Sequence, residues 1–291
     1  MPKVAFLGPF GTYTFQVLIQ QFGQDNEFQP QTSIGVCFDK LQSGDVDYAV
    51  VPLENSINGL VVFTYGLLRD WFMPPDNGPQ PQFVVVGEQY VPIHHNVLTR
   101  AADLSQVTRV YSHPQVWGQV TEFMRNEQVR TWTTIDTDST AKAAQIVAQD
   151  ASNTSACIGS LLSAELYDLL VAVPDVEDKK DNTTRFLVLA RRERATRVVD
   201  TPCVTALMFV LNQNEPGALC EALDSFRRNR VNLHSIASRP SGRTQWQYAF
   251  FVEVDGDASS DNVAQSIRAL GESCSHTAVL GLFVRKESLR G

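Results

Sequence analysis

The sequence predicts an α/β protein in two parts. An α/β domain with a mostly parallel sheet fills the first two-thirds, and a smaller βαββαβ unit follows it. Three observations carry this. Strand-like and helix-like patterns alternate through residue 190. The valine-rich run at residues 46–53 is apolar on both faces, as parallel strands usually are. After the charged stretch 191–201 and Pro202 the rhythm changes, and the domain boundary is expected there. The 291 residues suit two domains, because single cores rarely outgrow about 250–300 residues.

Residues 4–7 read as a short buried strand. Gly8-Pro9-Phe10-Gly11-Thr12 is a turn, and Thr12 caps a helix over 13–22. Four prolines and a glycine in 73–81 mark a loop that neither helix nor strand crosses. Strands are expected at 83–87, 96–99 and 107–111, with a helix over 114–126. Residues 138–149 form a helix whose apolar side holds Ala141 and Ala144. A strand at 156–159, a helix at 161–170, a polar loop at 175–183 and a strand at 184–190 complete the domain. The second unit opens with a strand at 204–211. A helix over 216–229 has Pro216 in its first turn and Leu219, Leu223 and Phe226 on one face. Strands at 232–238 and 248–254, a helix at 260–270 and a strand at 278–284 follow.

With 43% hydrophobic and 19% charged residues, disorder, collagen and coiled coil are excluded. No apolar run approaches the ~20 residues needed to span a bilayer, so no membrane partner is expected. Residues 203–291 carry nine basic and nine acidic side chains, so the net charge of −8 lies in residues 1–202. Neither part offers a basic surface for nucleic acid. Five scattered cysteines without CxxC argue against a disulfide framework and a zinc site. The N-terminus lacks a leader pattern, and a reducing cytosol is the expected compartment.

No phosphate-binding GxGxxG or GxxxxGK[ST], GxSxG elbow or HExxH is present, so neither cofactor nor metal is expected. His94 and His95 read as structural or solvated at a strand edge, and His234 lies in a strand of the second unit. Four segments put polar residues at strand ends, where α/β domains bind ligands. They are Gly8–Thr12, Glu54-Asn55-Ser56, Ser112-His113-Pro114-Gln115 and Asn182-Thr183-Thr184-Arg185-Phe186. Taken singly, each has a plainer reading: a helix cap, a surface carboxylate at Glu54, or an ion-paired Arg185. Together they describe an anion-seeking pocket that uses helix N-termini and one placed arginine.

These segments, with Asp138-Ser139-Thr140-x-x-Ala143-Ala144, resemble the ordered motifs of the prephenate dehydratase family. Asn214-x-Pro216-Gly217-Ala218-Leu219 and Ser238-Arg239-Pro240 resemble the motifs of an ACT domain. The resemblance covers nearly the whole chain. It implies a catalytic domain like type II periplasmic binding proteins over 1–195. One subdomain would hold about 1–80 and 180–195, and the other about 81–179. The chain would cross between them near 73–87 and 173–184, with an ACT domain at 203–288. The implied activity is cofactor-free conversion of prephenate to phenylpyruvate by a monofunctional form without a mutase segment. L-Phenylalanine would be a feedback effector, and the assembly a homodimer or homotetramer. Thr184 is implied as catalytic, and Glu54 is a candidate proton source. Gly11, Thr12, Asn55, Ser56, Ser112, His113, Gln115, Ser139, Thr140, Arg185 and Phe186 would bind substrate, with Arg185 gripping a carboxylate. Gly217, Ala218, Leu219, Asn232, Ser238, Arg239 and Pro240 would hold phenylalanine. The sequence departs from the family at Ala237, where Glu is usual, and at Cys220, where Val is usual. The residues after His-Pro-Gln also lack the common Cys. Arogenate dehydration, non-catalytic amino-acid sensing and solute binding remain as other readings.

Overall fold

The computed structural model describes residues 1–75, 78–195, 202–213 and 215–286. Most of the boundary stretch (196–201), Asn214 of the Asn-x-Pro-Gly segment, part of the proline loop (76–77) and the expected domain end (287–288) lie outside the described residues.

The chain begins with β1 (Lys3–Leu7), α1 (Tyr13–Phe22), β2 (Glu27–Gln31) and α2 (Ile34–Ser43). β3 (Tyr48–Asn55), β4 (Gly59–Leu60), α3 (Val62–Phe72) and β5 (Phe83–Pro92) follow. A second sheet is then built by β6 (Asn96–Thr99), β7 (Arg109–Ser112), α4 (Pro114–Trp117) and α5 (Thr121–Met124). β8 (Thr133–Asp136), α6 (Thr140–Ala148), β9 (Ser155–Gly159), α7 (Leu161–Tyr167) and β10 (Leu170–Val173) complete it. β11 (Thr183–Arg191) returns to the first sheet. The last unit is β12 (Cys203–Leu211), α8 (Ala218–Arg228), β13 (Leu233–Pro240), β14 (Tyr248–Asp255), α9 (Asp261–Glu272) and β15 (Cys274–Val284). The expected βαββαβ order is present.

The large sheet runs β13-β14-β12-β15-β5-β11-β3-β1-β2, and the smaller one β10-β6-β9-β7-β8. The last unit joins the first through one parallel pair, Gly281 with Val85. A Cβ at Gly281 would collide with the backbone of Val85, so this junction needs glycine. Both sheets are mixed rather than mostly parallel. β11 is antiparallel to both β3 and β5, and β6 is antiparallel to β9 and β10. The return strand β11 enters from the second subdomain and so runs against its neighbours.

The two crossings are residues 93–95 and 174–182. The first therefore falls later than 73–87, because β5 continues past Gly87 to pair along the whole of β11. The expected helix over 114–126 is two short helices. Gly118 ends α4, and glycine is a poor helix residue. The Asp178 carboxylate then accepts the N–H groups of Thr121 (2.8 Å) and Glu122 (3.0 Å), which starts α5 afresh.

One apolar core lies on one face of the large sheet. It packs Phe38, Phe72 and Phe83 with Leu187 and with Met208 and Phe251 of the last unit. A second lies on the cleft side of that sheet, with Phe6, Val50 and Phe186. Among the described residues no helix is long and apolar enough to cross a membrane.

Candidate active site

A cavity of about 750 Å³ opens between the two sheets. This is within the range of small-ligand sites. The large-sheet side presents Gly8, Thr12, Asn55, Thr184 and Phe186, and the other side His113, Gln115, Gln119 and the start of α6.

Local sequence explains the walls. Thr12 Oγ1 accepts the N–H of Phe15 at 3.3 Å and starts α1, so Thr12, Tyr13 and Thr14 face the cavity. Ser139 Oγ accepts the N–H of Lys142 at 3.0 Å and starts α6, which places Ser139, Thr140 and Lys142 on the opposite wall. Two helix N-termini thus face one space, an arrangement suited to a dianion. His113 Nδ1 accepts the N–H of Gln115 at 3.3 Å, so His113 caps α4. Burial holds the His113 imidazole below its ordinary value, against the opposing pull of Asp136 and Asp138.

Thr184 stands opposite Asn55 in the β11–β3 ladder, and Arg185 stands opposite Glu54. Successive strand side chains point to opposite faces. Thr184 and Asn55 therefore face the cavity, and Arg185 and Glu54 face the last unit. Asn55 Oδ1 accepts the N–H groups of Ile57 (3.0 Å) and Asn58 (2.9 Å). Its Nδ2 then donates to Thr184 Oγ1 at 2.9 Å.

Of the residues expected to bind substrate, Thr12, Asn55, His113, Gln115, Ser139, Thr140 and Phe186 line the cavity with Thr184. Gly11, Ser56, Ser112 and Arg185 do not, and neither does Glu54, the candidate proton source. Arg185 is 5% exposed and is bound by Glu88 (2.7 Å), Glu253 (2.6 Å) and Glu54 (3.3 Å). It is paired with protein carboxylates and points away from the cavity, and Glu54 is one of those partners. Ser112 is fully buried and donates to Ile158 O at 2.9 Å. Gly11 O accepts from Ser163 Oγ at 2.9 Å and ties the two subdomains together. Ser56 Oγ accepts the N–H of Thr183 at 2.9 Å on the outer surface.

The residues expected to hold phenylalanine lie in the last unit, away from this cavity. Gly217 starts α8 with φ 90°, followed by Ala218 and Leu219. Asn232 donates to Asp255 Oδ2 at 3.2 Å. Ser238, Arg239 and Pro240 end β13, the edge strand.

The sequence reading missed four groups. Lys142 is the one lysine or arginine on the cavity wall among the described residues. It occupies a free position of the Ser-Thr-x-x-Ala motif. Gln119, His95 and Tyr13 also reach the cavity. Two successive histidines at a strand end, leading into a crossing, were the available signal. Burial depresses the His95 pKa, which keeps its ring neutral, and pushes the Tyr13 phenol well above its usual range.

A prephenate dehydratase family model matches residues 4–194, and an ACT domain model matches residues 206–272. A probable prephenate dehydratase of Saccharomyces cerevisiae is 35% identical, covering 98% of this chain and 97% of that one. The structure of prephenate dehydratase from Arthrobacter aurescens in complex with L-Phe has a TM-score of 0.85 and 29% identity. It covers 97% of this chain and 90% of that one. GqqA, described as a novel type of quorum quenching acylase, has a TM-score of 0.83 at 26% identity, covering 98% of both chains. With a family match over the whole two-subdomain region and a relative 35% identical over nearly its full length, the chain belongs to the prephenate dehydratase family and carries a C-terminal ACT domain.

Proposed function

We propose that this cleft converts prephenate to phenylpyruvate, carbon dioxide and water. Prephenate carries two carboxylates and a ring hydroxyl. When the ring carboxylate leaves as CO2, its electron pair moves through the ring and expels the hydroxyl, which takes up a proton and departs as water. Aromatisation drives the step, so the protein must bind, orient and assist the leaving oxygen. The observation that carries this reading is the Asn55–Thr184 bond. Because Thr184 Oγ1 accepts from Asn55 at 2.9 Å, its own O–H is free to donate into the cavity. Among the described residues that proton has no protein acceptor. A threonine hydroxyl is too weak an acid to give up its proton outright. It acts as a hydrogen-bond donor to the leaving oxygen as charge develops there. Lys142 and the N-termini of α1 and α6 hold the carboxylates.

The cavity wall also presents Asp138, a carboxylate suited to an ammonium group. This keeps arogenate, which has an amino group where prephenate has a keto group, as a second substrate reading. The ACT domain and the L-Phe complex of the Arthrobacter relative support phenylalanine as effector. The edge strand β13, with Ile236 half exposed, offers the pairing surface for a homodimer or homotetramer. All five cysteines are free, which suits a reducing cytosol.

The test is to mix the purified protein with prephenate and follow phenylpyruvate, with arogenate and an acyl amide in parallel. Thr184→Ala should fold and lose at least roughly 100-fold in kcat, the scale on which a placed donor contributes. A Thr184→Ala enzyme within about 10-fold of the wild type removes Thr184 from the chemistry. Turnover of the acyl amide alone replaces the dehydratase reading.

A further inference from the structure

A chain of side-chain hydrogen bonds runs from Thr184 across the cleft base, and each link fixes the direction of the next. The backbone N–H groups of Ile57 and Asn58 occupy Asn55 Oδ1, so Asn55 Nδ2 faces Asn182 Oδ1 (2.7 Å) and Thr184 Oγ1 (2.9 Å), its two nearest acceptors, with Thr183 O farther off at 3.3 Å. Asn182 therefore presents its Nδ2 to Gln119 Oε1 at 2.8 Å. The same oxygen meets His95 Nε2 at 2.8 Å, so His95 carries its hydrogen on Nε2. His95 Nδ1 is left as the bare nitrogen, 3.4 Å from the Tyr13 hydroxyl. That hydroxyl spends its proton on His94 O at 2.7 Å.

The members come from every part of the catalytic region. Asn55 and Thr184 lie in the large sheet, His95 in one crossing, Asn182 at the end of the other, and Gln119 in the second subdomain. Asn182, His95 and Gln119 are 1%, 2% and 8% exposed, so bulk water does not compete for these bonds.

We infer that Asn182, Gln119 and the Nε2–H tautomer of His95 are positioning elements for the dehydration: they lock the Asn55 amide so that Thr184 Oγ accepts from the protein and donates only to the substrate. Asn182 does not line the cavity and works entirely through Asn55. The inference rests on Thr184 assisting the leaving hydroxyl.

Two measurements on the full chain test it. The first needs no substrate. Nitrogen-15 NMR of histidine-labelled protein, with the His95 signals assigned by loss in His95→Gln, should show hydrogen on Nε2. Hydrogen on Nδ1 overturns the chain. The second is a double-mutant cycle. Asn182→Ser should lower kcat roughly 10- to 100-fold with KM within about 3-fold. In a Thr184→Ala background the same change should cost less than about 2-fold, because the group it serves is gone. Losses that multiply, or a rise in KM with kcat intact, overturn the inference. If Asn182→Ser does not fold, Gln119→Met takes its place in the cycle. It should also shift His95 away from the Nε2–H tautomer, and an unchanged tautomer overturns the link. Hydrogen on Nε2 in a protein that does not turn over prephenate supports the chain's direction and removes the substrate reading instead.

Discussion

Arg185 Nη2 lies 2.6 Å from Glu253 Oε1, which ties the strand that carries Thr184 to the ACT domain. The same guanidinium meets Glu88, whose side chain is almost fully buried and which also accepts the N–H of Lys286 at 2.9 Å. Burial raises the Glu88 pKa, and Arg185 opposes that rise. One cation thus serves three carboxylates at the junction between domains.

Removing that cation should unfold rather than unbind. Arg185→Met leaves Glu88 and Glu253 facing each other without compensation, and breaking a buried pair in this way costs about 3–5 kcal/mol. Denaturant unfolding should show that loss. The KM for prephenate in the folded fraction should stay within about 3-fold. A 10-fold rise in KM at normal stability would return Arg185 to the binding site.

Lys142 carries the opposite expectation. Its side chain is exposed on the cavity wall and supports no core packing. Lys142→Met should raise the KM for prephenate roughly 10-fold, about 1.4 kcal/mol, with little change in Tm. Steady-state kinetics and thermal melts together decide. An unchanged KM would leave the dianion to the helix N-termini alone.

The motifs were legible because turns and caps have local chemistry: Thr12 and Ser139 start helices wherever the fold puts them. The facing of neighbours was not legible. Glu54-Asn55 and Thr184-Arg185 are polar at both positions, so an alternating pattern gives no hint of which member enters the cleft, and one residue of register reverses the answer. β2 is hard to see because Glu27–Gln31 is a short edge strand whose apolar face is only Phe28 and Pro30, and proline is unusual in a strand. The second half of β5 was missed because Glu88 and Gln89 read as a surface. Glu88 is buried among partners from elsewhere in the chain, Arg185 and the N–H of Lys286. The Asn55-to-His95 chain joins residues up to 129 positions apart, and no local pattern reports it.

His95 makes stability depend on pH. Its ring is faced by Tyr13, His94, Glu177 and Gln119, and burial holds its pKa below the ordinary 6.5. Between the lowered value and 6.5 the unfolded chain binds a proton that the folded chain refuses. Stability therefore rises with pH across that window and is lost as pH falls through it, by at most about 1.4 kcal/mol per unit. His113 and His276, also lowered by burial, act in the same direction. The difference between wild type and His95→Gln isolates His95. Between pH 6.5 and 5 the wild type should lose more stability than the variant. Equal losses would mean that His95 titrates as a free imidazole.

Regulation should run through Glu253. It pairs across β14 with Ser235 of β13, the strand that ends in Ser238-Arg239-Pro240, and its carboxylate reaches the residue next to Thr184. A ligand shifts a protein between states only by binding them unequally, and its coupling to a second ligand is reciprocal. If phenylalanine acts at the ACT domain, the Arg185–Glu253 contact is the direct path by which β14 biases β11. Glu253→Gln keeps an oxygen for Arg185 and removes the charge. Calorimetry should find phenylalanine affinity within about 2-fold of the wild type in the absence of substrate. Inhibition at saturating phenylalanine should shrink, from a coupling of roughly 5- to 150-fold to below about 3-fold. Substrate should likewise cease to alter phenylalanine affinity. Full inhibition in Glu253→Gln would move the coupling to another contact, and no heat of binding in the wild type would leave the ACT domain without an effector role for phenylalanine.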